Sequence, residues 1–375
     1  MTLEILVATS EKPLFHGVSD LNEPAIRWLL DRKDPSIRYQ ALVDVLGYSP
    51  ESKGAVETRG RIPRRNIYNR IMARQSKAGF WPRKDTCDSP RFAGALWALI
   101  LLGEMAAAPD PRIKKECERF LNLHQAQNGS FSYRSRLQGK KHYDEPCLTG
   151  NMVRTLLVLE YDKDPRVRRA IDWMPEAQLE DGGWNCDYPQ FEGVKVRHSS
   201  FMSTIAPLWA YSEIPRQTWT RRMKHSIERG AEFLLMHRLY KADHHEWMPM
   251  NRTFTTLHFP MYFYYDVLHG LRVLTKLGYG DDERMRDATH LVMSKRRPDG
   301  KWVLEGDWFS EPGASTRWLK PKASENSPGP TDPWGNSLAG STKYDLEPVG
   351  KPSKWITLNC YRALLATGDL RTSNN

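Results

Sequence analysis

The sequence predicts an all-α protein built from helical hairpins that repeat along the chain and close into a ring. Three observations support this prediction. A short pattern of glutamine or arginine, glycine and an aromatic residue recurs through most of the chain, its spacing is nearly constant, and each copy lies between an amphipathic helix and a more apolar one. Regular spacing of this size is typical of repeat architectures.

The recurring pattern places glycine four residues, and an aromatic six residues, after its glutamine or arginine anchor. It occurs in IMARQSKAGFW, FLNLHQAQNGSF, MPEAQLEDGGW and VMSKRRPDGKW, and a degenerate copy, RGAEFLLMHRLY, keeps the segment before the anchor and has arginine in the anchor position. Successive anchors are 50, 53, 60 and 58 residues apart and stand at Gln75, Gln125, Gln178, Arg238 and Arg296. We expect the glutamine to cap backbone groups and the aromatic to pin adjacent repeats, which is a structural role.

The helices on either side of each turn differ in character. Those before the turn, such as PRIKKECERFLNLHQ, carry charge on one face, whereas those after it, such as SPRFAGALWALILLGEM and CLTGNMVRTLLVLEY, are apolar almost all round. A helix that is apolar all round is buried. The second helices are too apolar to line an exposed concave surface, so the hairpins are predicted to close into a ring with these helices inside.

Two segments depart from the repeat. Residues 1–58 contain two short helices with a D-P-S-I-R-Y turn and predict an N-terminal, HEAT-like cap on a ring formed by residues 59–375. A stretch rich in Gly, Pro, Ser and Trp, at about 305–354, shows no helical period. Long loops in compact domains are usually functional or disordered, and the tryptophans argue against disorder. This stretch is therefore predicted to wrap over one mouth of the ring as a candidate lid.

Composition limits the partners. The formal net charge is +10 and the pI about 9.3, which favours an anionic partner such as a phosphate-bearing ligand or an acidic polymer, although a basic, inert surface is the alternative. Five dispersed cysteines predict no disulfide framework, and the absence of a CxxC pair excludes a zinc finger. With no leader-like start and no apolar stretch long enough for a bilayer, the chain is expected to be soluble and cytoplasmic.

The repeated turn resembles the QW motif of the squalene–hopene cyclase and oxidosqualene cyclase superfamily. The closest copies are Phe120-Leu121-x3-Gln125-x3-Gly129-x-Phe131 and Trp173-Met174-x3-Gln178-x3-Gly182-x-Trp184. The resemblance covers roughly residues 60–370 and implies an (α/α)5-6 toroid, a double ring of helices around a central cavity. Protein prenyltransferase β-subunits share this fold. The D-x-D-D motif of class II cyclases is missing, so a squalene-type protonation is not supported.

Resemblance to the prenyltransferases implies a catalytic zinc ion held by an Asp-x-Cys pair and a histidine. Here the Asp-to-Cys spacing is three residues instead of two. Thiolate, imidazole and carboxylate are suitable ligands for an open zinc site. The alternative is that the cysteine is a small buried residue and the histidine a hydrogen-bonding residue near a helix start. The candidate metal ligands are Asp144, Cys147, Cys186 and His198.

Other residues are candidates for ligand binding and catalysis. Basic loop residues at one mouth could bind a diphosphate, or they could be ordinary solvated side chains; they are Lys140, Lys141, His142, Lys195 and Arg197. Aromatic residues inside a toroid can contact a ligand but are more often core, and the candidates are Tyr262 and Tyr265. Asp266 is expected to be a buried carboxylate paired with Arg154 or Arg362, which are themselves candidate substrate-binding residues. The candidate catalytic carboxylates are Asp266, Asp144 and Asp187.

Three functions remain open from the sequence. The first is a prenyltransferase-like or terpene-cyclase-like enzyme that acts on an apolar-tailed anionic substrate, of the isoprenoid diphosphate type, in the central cavity. The second is a carbohydrate-active toroid, either a polysaccharide lyase or a hydrolase. The third is a non-catalytic repeat scaffold. Nucleic-acid binding is a weaker hypothesis, because the basic residues are dispersed and no recognition module is present.

Overall fold

The computed structural model describes residues 23–139, 142–186, 198–308, 338–341 and 343–370. Within these ranges the chain forms α-helices joined by turns, and its only β-type pairings are isolated bridges such as the one between Gln125 and Phe131. The predicted all-α class is confirmed.

The helices follow one another as hairpins. The outer members are α1 (Pro24–Leu29), α3 (Lys53–Arg59) with α4 (Asn66–Met72), α6 (Pro111–His124), α8 (Pro165–Trp173), α10 (Arg221–Met236) and α13 (Arg286–Ser294). The inner members are α2 (Pro35–Gln40) with the π-turn Ala41–Val45, α5 (Ala95–Glu104), α7 (Pro146–Val158), α9 (Phe201–Ser212), α12 (Val267–Leu277) and α14 (Lys354–Ala366). A single-turn helix, α11 (Arg252–Thr255), lies between α10 and α12.

The inner helices form the core, as their composition predicts. Every residue of α5 is buried, and most residues of α7, α9, α12 and α14 are buried as well. The outer helices α6, α8 and α10 bury one face and keep their charged residues on the other. Each inner helix packs on the next along the chain, from α5 through α14.

The N-terminal helices belong to the ring, which differs from the prediction of a separate cap over residues 1–58. Helix α14 packs against α1, α2 and the π-turn, and the Gln40 side chain donates from Nε2 to the Glu104 carbonyl oxygen on α5, 3.1 Å away. The α2 segment therefore stands between α14 and α5 as a sixth inner member. The repeat pattern could not reveal this, because the first hairpin has no anchor of its own. Residues 1–22 lie outside the described ranges.

The glutamine anchors of the repeated turns bond backbone groups, as predicted, and they also join neighbouring hairpins. Gln125 Nε2 donates to the Gly129 carbonyl oxygen in its own turn (3.0 Å) and to the Arg166 carbonyl oxygen at the start of the next outer helix (2.7 Å). Gln75 and Gln178 make the corresponding two bonds. These bonds satisfy carbonyl groups at the turn and at the adjoining helix.

The arginine anchors continue the same linkage through carboxylates. Arg238 Nη1 bonds Asp287 on α13 at 2.9 Å, and Arg296 Nη2 bonds Glu23, the residue before α1. The last repeated turn is thus tied to the first outer helix. Every anchor therefore reaches the next outer helix, and the last one reaches the first hairpin.

The turn glycines are required by close packing. Gly129 and Gly182 have φ values of +102° and +97°, a region that L side chains rarely adopt. A Cβ atom at Gly129 would lie 2.6 Å from the Arg169 carbonyl oxygen, and one at Gly182 would lie 2.5 Å from that of Arg229. Glycine therefore lets each turn sit directly against the next outer helix.

The predicted loop at about 305–354 is described only at its ends, and its candidate lid (residues 309–337) lies outside the described ranges. The described ends pack on the ring. Trp308 is buried and donates from Nε1 to the Pro260 carbonyl oxygen, and the Leu304 amide donates to the Lys351 carbonyl oxygen at 3.0 Å.

Candidate functional site

A cavity of about 850 Å³ lies at the end of the ring where the inner helices finish. Its wall combines cationic, anionic and apolar side chains from all six inner members. The lining includes Tyr39, Gln40, Val43, Asp44, Val45, Arg59, Gly103, Ala106, Arg154, Val158, Glu160, Trp209, Ser212, Glu213, Arg272, Thr275, Lys276, Arg362, Leu365 and Ala366.

A layer of polar side chains crosses the ring beneath this cavity. Arg272 on α12 bonds Glu104 on α5 through Nη2 and Oε1, at 3.2 Å, and both side chains are buried. Its other terminal nitrogen, Nη1, donates to Asn359 Oδ1 on α14 at 3.0 Å. Helices α5 and α12 are opposite each other in the ring, so this ion pair spans its centre.

The layer continues from α14 to the first hairpin through Arg362. Arg362 Nη1 donates to Asn359 Oδ1 at 3.0 Å, and Nη2 donates to Gln40 Oε1 at 2.8 Å. The same Nη2 also pairs with the Asp44 carboxylate in the π-turn. Two guanidinium groups therefore share the Asn359 amide oxygen, and both of their terminal nitrogens are engaged.

Arg154 on α7 is held differently. Its Nε is 3.4 Å from Glu213 Oε1, while Lys276 Nζ bonds the other oxygen of Glu213 at 2.5 Å. Arg154 is 7% exposed, and its Nη1 is buried without a hydrogen-bond partner in the part of the chain that the structure describes. Its guanidinium carbon lies 4.2 Å from the Trp209 ring centroid, and that of Arg272 lies 4.9 Å from it.

Two carboxylates at the cavity, Glu213 and Glu104, are held ionised. Burial alone would raise the pKa of Glu213, but Lys276, Arg154 and Arg272 outweigh it and lower that pKa to about 2. Burial likewise opposes ionisation of Glu104, yet Arg272 and Arg154 keep its pKa below the usual range. Opposite charges at close range favour the charged form. Both side chains are therefore anionic at neutral pH.

A neutral histidine lies beside the arginines. His269, one turn before Arg272 on α12, is 2% exposed and packs edge-on against the Trp209 ring with centroids 4.6 Å apart. Burial, Arg272 and Arg154 hold the pKa of His269 well below its usual range. Neither ring nitrogen has a hydrogen-bond partner among the described residues.

Two of the candidate substrate-binding residues lie at this cavity. Arg154 and Arg362 both line it, as candidate substrate-binding residues should. Their predicted partner was wrong, because neither contacts Asp266. The Asp266 carboxylate caps the start of α12 and accepts hydrogen bonds from the His269 and His258 amides, each at 2.8 Å. It is buried at the opposite end of α12, where these backbone donors satisfy it.

The two candidate tyrosines do not line this cavity and belong to the core. The Tyr265 hydroxyl donates to the Leu239 carbonyl oxygen at 2.7 Å. Tyr262 is buried among aromatic rings, 5.2 Å from the Phe92 centroid and 5.3 Å from that of Trp97. The aromatic segment before α12 therefore packs between helices instead of facing this cavity.

The predicted zinc ligands lie at the other end of the ring, where the inner helices begin. Cys147 at the start of α7 is joined to Cys186 by a disulfide. Asp144 accepts hydrogen bonds from Asn128 Nδ2 (3.1 Å) and Ser130 Oγ (2.5 Å), and His198 is exposed. A disulfide offers no thiolate, so this arrangement does not fit a zinc ion. Within the described ranges, no three histidine, cysteine or acidic side chains are grouped to hold a metal.

The remaining basic residues predicted for this mouth cannot be placed at a site. His142 is half-buried, and burial and Arg136 lower its pKa while Asp144 opposes the shift. Cys147, close to this loop, precedes Arg154 by seven residues, or about 10 Å of helix, which puts the loop far from the cavity. The other basic candidates lie outside the described ranges (Lys140, Lys141, Lys195 and Arg197), as does the candidate catalytic carboxylate Asp187.

Several buried or cavity-lining charged residues were not among the candidates from the sequence. Glu104 and Arg272 are charged residues inside otherwise apolar inner helices, and that isolation was the available signal. Glu213 follows α9 and Asp44 lies in the N-terminal hairpin, where no pattern marks them. Glu145 at the start of α7 is 7% exposed, and burial raises its pKa to about 8.

Comparison with known proteins confirms the recognised resemblance. The sequence model of the squalene-hopene cyclase C-terminal domain matches residues 95–278, just under half of the chain. This region spans α5 to the end of α12 and carries most of the inner wall. The chain therefore has a terpenoid cyclase-like α/α-toroid fold. No curated protein matches the sequence.

Solved structures with a similar course of the chain are distant in sequence. A protein from Actinoplanes is 15% identical, with a TM-score of 0.43 over 89% of this chain and 90% of its own. The type II terpene cyclase MstE from Scytonema is 12% identical, with a TM-score of 0.45 and 89% coverage of both chains. The glycoside hydrolase family 76 mannosidase Bt3792 from Bacteroides thetaiotaomicron is 12% identical, with a TM-score of 0.41 over 90% of this chain and 86% of its own.

The helices give no indication of a bilayer span. None of those in the described ranges combines the length and apolar character that crossing a membrane requires.

Proposed function

We propose that the protein is a terpenoid-cyclase-like or prenyltransferase-like enzyme that binds an apolar-tailed anionic substrate in the cavity at the ends of the inner helices. One observation carries this proposal: three arginines, Arg154, Arg272 and Arg362, converge on a cavity whose wall also carries a set of apolar side chains. The match to the squalene-hopene cyclase C-terminal domain supports the cyclase-type class.

The arginines supply the anionic end of the site. Guanidinium groups bind carboxylates and phosphates through paired hydrogen bonds that strengthen when water is excluded. Asn359 and Gln40 hold Arg272 and Arg362 by their terminal nitrogens, so both groups are fixed before a ligand arrives. A pre-organised site loses less conformational entropy when it binds.

The rest of the cavity suits an apolar tail. Its volume of about 850 Å³ lies within the usual range for small-molecule sites. Apolar side chains come from the π-turn and from the ends of α7, α9 and α14, and they include Val43, Val45, Val158, Trp209 and Leu365. A ligand with one charged end and a hydrocarbon body would match both parts of this wall.

The chemistry at this end is binding and charge stabilisation. Glu104 and Glu213 stay ionised at neutral pH, so neither can donate a proton to an alkene. No step of this proposal uses a metal, because the Cys147–Cys186 disulfide leaves the predicted zinc ligands without a thiolate. The cationic side chains would hold the substrate anion and orient the apolar body in the ring.

The same facts weigh against the carbohydrate-active alternative. Glycosidases of the common type use two carboxyl groups, one of which is protonated to serve as the general acid. Glu104 and Glu213 have lowered pKa values, and the Trp209 ring is already contacted by two guanidinium groups and is not free to stack on a sugar.

The test is a binding comparison by isothermal titration calorimetry with wild-type protein, using C15 isoprenoid anions below their micelle-forming concentration and an acidic oligosaccharide. We expect the isoprenoid anions alone to bind, and Arg362→Gln to weaken them at least about tenfold, because it leaves Asp44 unpaired beside the ligand. Arg222→Gln, in an exposed pair with Glu176, is the matched control. Binding of the oligosaccharide alone would contradict the proposal, as would no binding at all.

A further inference from the structure

We propose that the head group bound in the cavity is a monoanion of the carboxylate class, held at Arg154, and that a diphosphate is not the preferred ligand. This inference rests on the proposed function, because it specifies the anion that the apolar-tailed ligand carries. Two independent observations lead to it: the charge balance of the cavity and one unsatisfied donor in its wall.

The charge balance leaves one positive charge. Five cationic side chains line the cavity together with three carboxylates, and buried Glu104 behind the wall adds a fourth negative charge. Three of the cations have a carboxylate each: Arg59 pairs with Glu160, Arg272 with Glu104, and Arg362 with Asp44. The remaining two cations, Arg154 and Lys276, share one carboxylate, that of Glu213.

The excess charge is located at Glu213. That carboxylate bonds Lys276 at 2.5 Å and Arg154 at 3.4 Å. The shorter bond goes to Lys276, whose side chain is half exposed and can also be stabilised by solvent. Arg154 is buried, so its charge is the one that the protein leaves least compensated.

The unsatisfied donor belongs to the same residue. Arg154 Nη1 is buried without a hydrogen-bond partner in the described part of the chain. A Cβ atom at Gly103 would lie 3.4 Å from this nitrogen, and both residues line the cavity. The glycine therefore leaves room at the wall beside Nη1. Buried polar groups are normally paired, so an unpaired donor on a residue that lines a cavity indicates a ligand atom.

One excess charge fits one anionic group. A carboxylate would neutralise Arg154 and accept from Nη1, and its planar shape suits a guanidinium edge. A diphosphate carries about two or three negative charges near neutral pH. Binding it here would leave negative charge uncompensated in a partly buried site unless existing ion pairs broke, which is unfavourable.

The test compares three ligands with the same C15 tail by calorimetry at pH 7.5: farnesoic acid, farnesyl diphosphate and farnesol. We expect the acid to bind at least about tenfold more tightly than either of the others, because a hydrogen bond to a charged group is the strong kind. Tighter binding of the diphosphate would overturn the carboxylate inference and leave the proposed function standing. Failure of all three to bind would overturn both.

Variants locate the contact. Arg154→Gln should weaken the binding of farnesoic acid at least about tenfold and change the affinity for farnesol by no more than about twofold. A merely structural role would weaken the binding of both ligands. Arg222→Gln removes the same charge outside the cavity and should change neither. If Arg154→Gln does not fold, Glu213→Gln provides the opposite test, because it raises the excess charge and should tighten acid binding several-fold.

A carboxylate could also belong to a sugar acid, so digalacturonate is included. We expect it not to bind, because it has no apolar body for the wall formed by Val43, Val158 and Leu365. Preferential binding of digalacturonate over farnesoic acid would keep the carboxylate at Arg154 and overturn the proposed function. Equal loss of acid and alcohol binding in Arg154→Gln would overturn the assignment to Arg154.

Discussion

Glu104 and Arg272, 168 residues apart in sequence, meet across the centre of the ring, with Oε1 and Nη2 3.2 Å apart. They belong to inner helices on opposite sides, so a single ion pair joins the two halves of the wall beneath the cavity. Their side chains are 1% and 9% exposed, respectively. This pair fixes the position of Arg272, and through Asn359 that of Arg362.

Removal of one partner of this pair should be strongly destabilising. We expect Arg272→Met to lower the free energy of unfolding by about 3–5 kcal/mol, because Glu104 would remain as an unpaired buried charge. The double variant Glu104→Gln with Arg272→Met should lose clearly less free energy of unfolding than the two single variants lose together. Urea unfolding of the three variants measures both quantities, and simple additivity would contradict the direct coupling.

The glutamine anchors should contribute to stability through their bonds to the next hairpin. Gln178→Ala removes hydrogen bonds to the Gly182 and Ser226 carbonyl oxygens and should lower the free energy of unfolding by about 1–3 kcal/mol. Gln138, at an unanchored turn, provides a control, since its side chain is partly exposed. Equal effects of Gln178→Ala and Gln138→Ala in thermal unfolding would show that the anchor bonds contribute little.

Close packing at the turn glycines gives a second stability prediction. At Gly182, alanine would combine an unfavourable φ with a contact of 2.5 Å to the Arg229 carbonyl oxygen. At Gly139 the φ is +62°, but nothing lies within 4 Å of an added Cβ. Gly139→Ala should therefore lower the free energy of unfolding by about 1–2 kcal/mol, because only the left-handed backbone is unfavourable there. Gly182→Ala should lower it by distinctly more. Similar denaturation midpoints would contradict the close contact.

The raised pKa of Glu145 predicts a pH dependence of stability. Burial lifts it from 4.5 to about 8, so the folded protein retains a proton that the unfolded chain releases. The contribution of Glu145 to stability is thus fully present below pH 4.5 and is lost as the pH rises to about 8. Glu145→Gln should remove this loss, with an upper limit of about 5 kcal/mol.

The measurement for Glu145 is urea unfolding of both proteins at pH 5 and pH 9. Glu145→Gln should be the more stable protein at pH 9, relative to wild type, and should lose that advantage at pH 5. A difference in stability that is the same at both pH values would contradict the raised pKa.

The repeat pattern was enough to predict the ring, because its anchors are the residues that join one hairpin to the next. Gln125 and Gln178 bond the following outer helix through the geometry that their spacing to glycine implies. The first hairpin could not be counted in the same way. It has no anchor of its own. Instead, Arg296 in the last repeated turn bonds Glu23, the residue before α1.

The site was predicted only in part, because charge partners across a ring leave no mark in local sequence. Arg154 and Arg362 were found as charged residues on apolar helices. Glu104 and Arg272 carry the same signal, but their pairing depends on which helices stand opposite each other. Asp266 looked like an interior carboxylate and proved to be a helix cap, because α12 begins only at Val267, after the aromatic segment that the apolar run had included.

The location of the bound ligand tests the central claim most directly. A crystal structure of the protein with farnesoic acid should show the carboxylate within hydrogen-bonding distance of Arg154 Nη1 and the hydrocarbon chain along Val158, Trp209 and Leu365. Ligand density at the opposite mouth, beside His142 and His198, would contradict the account, because it would place the binding site where the inner helices begin.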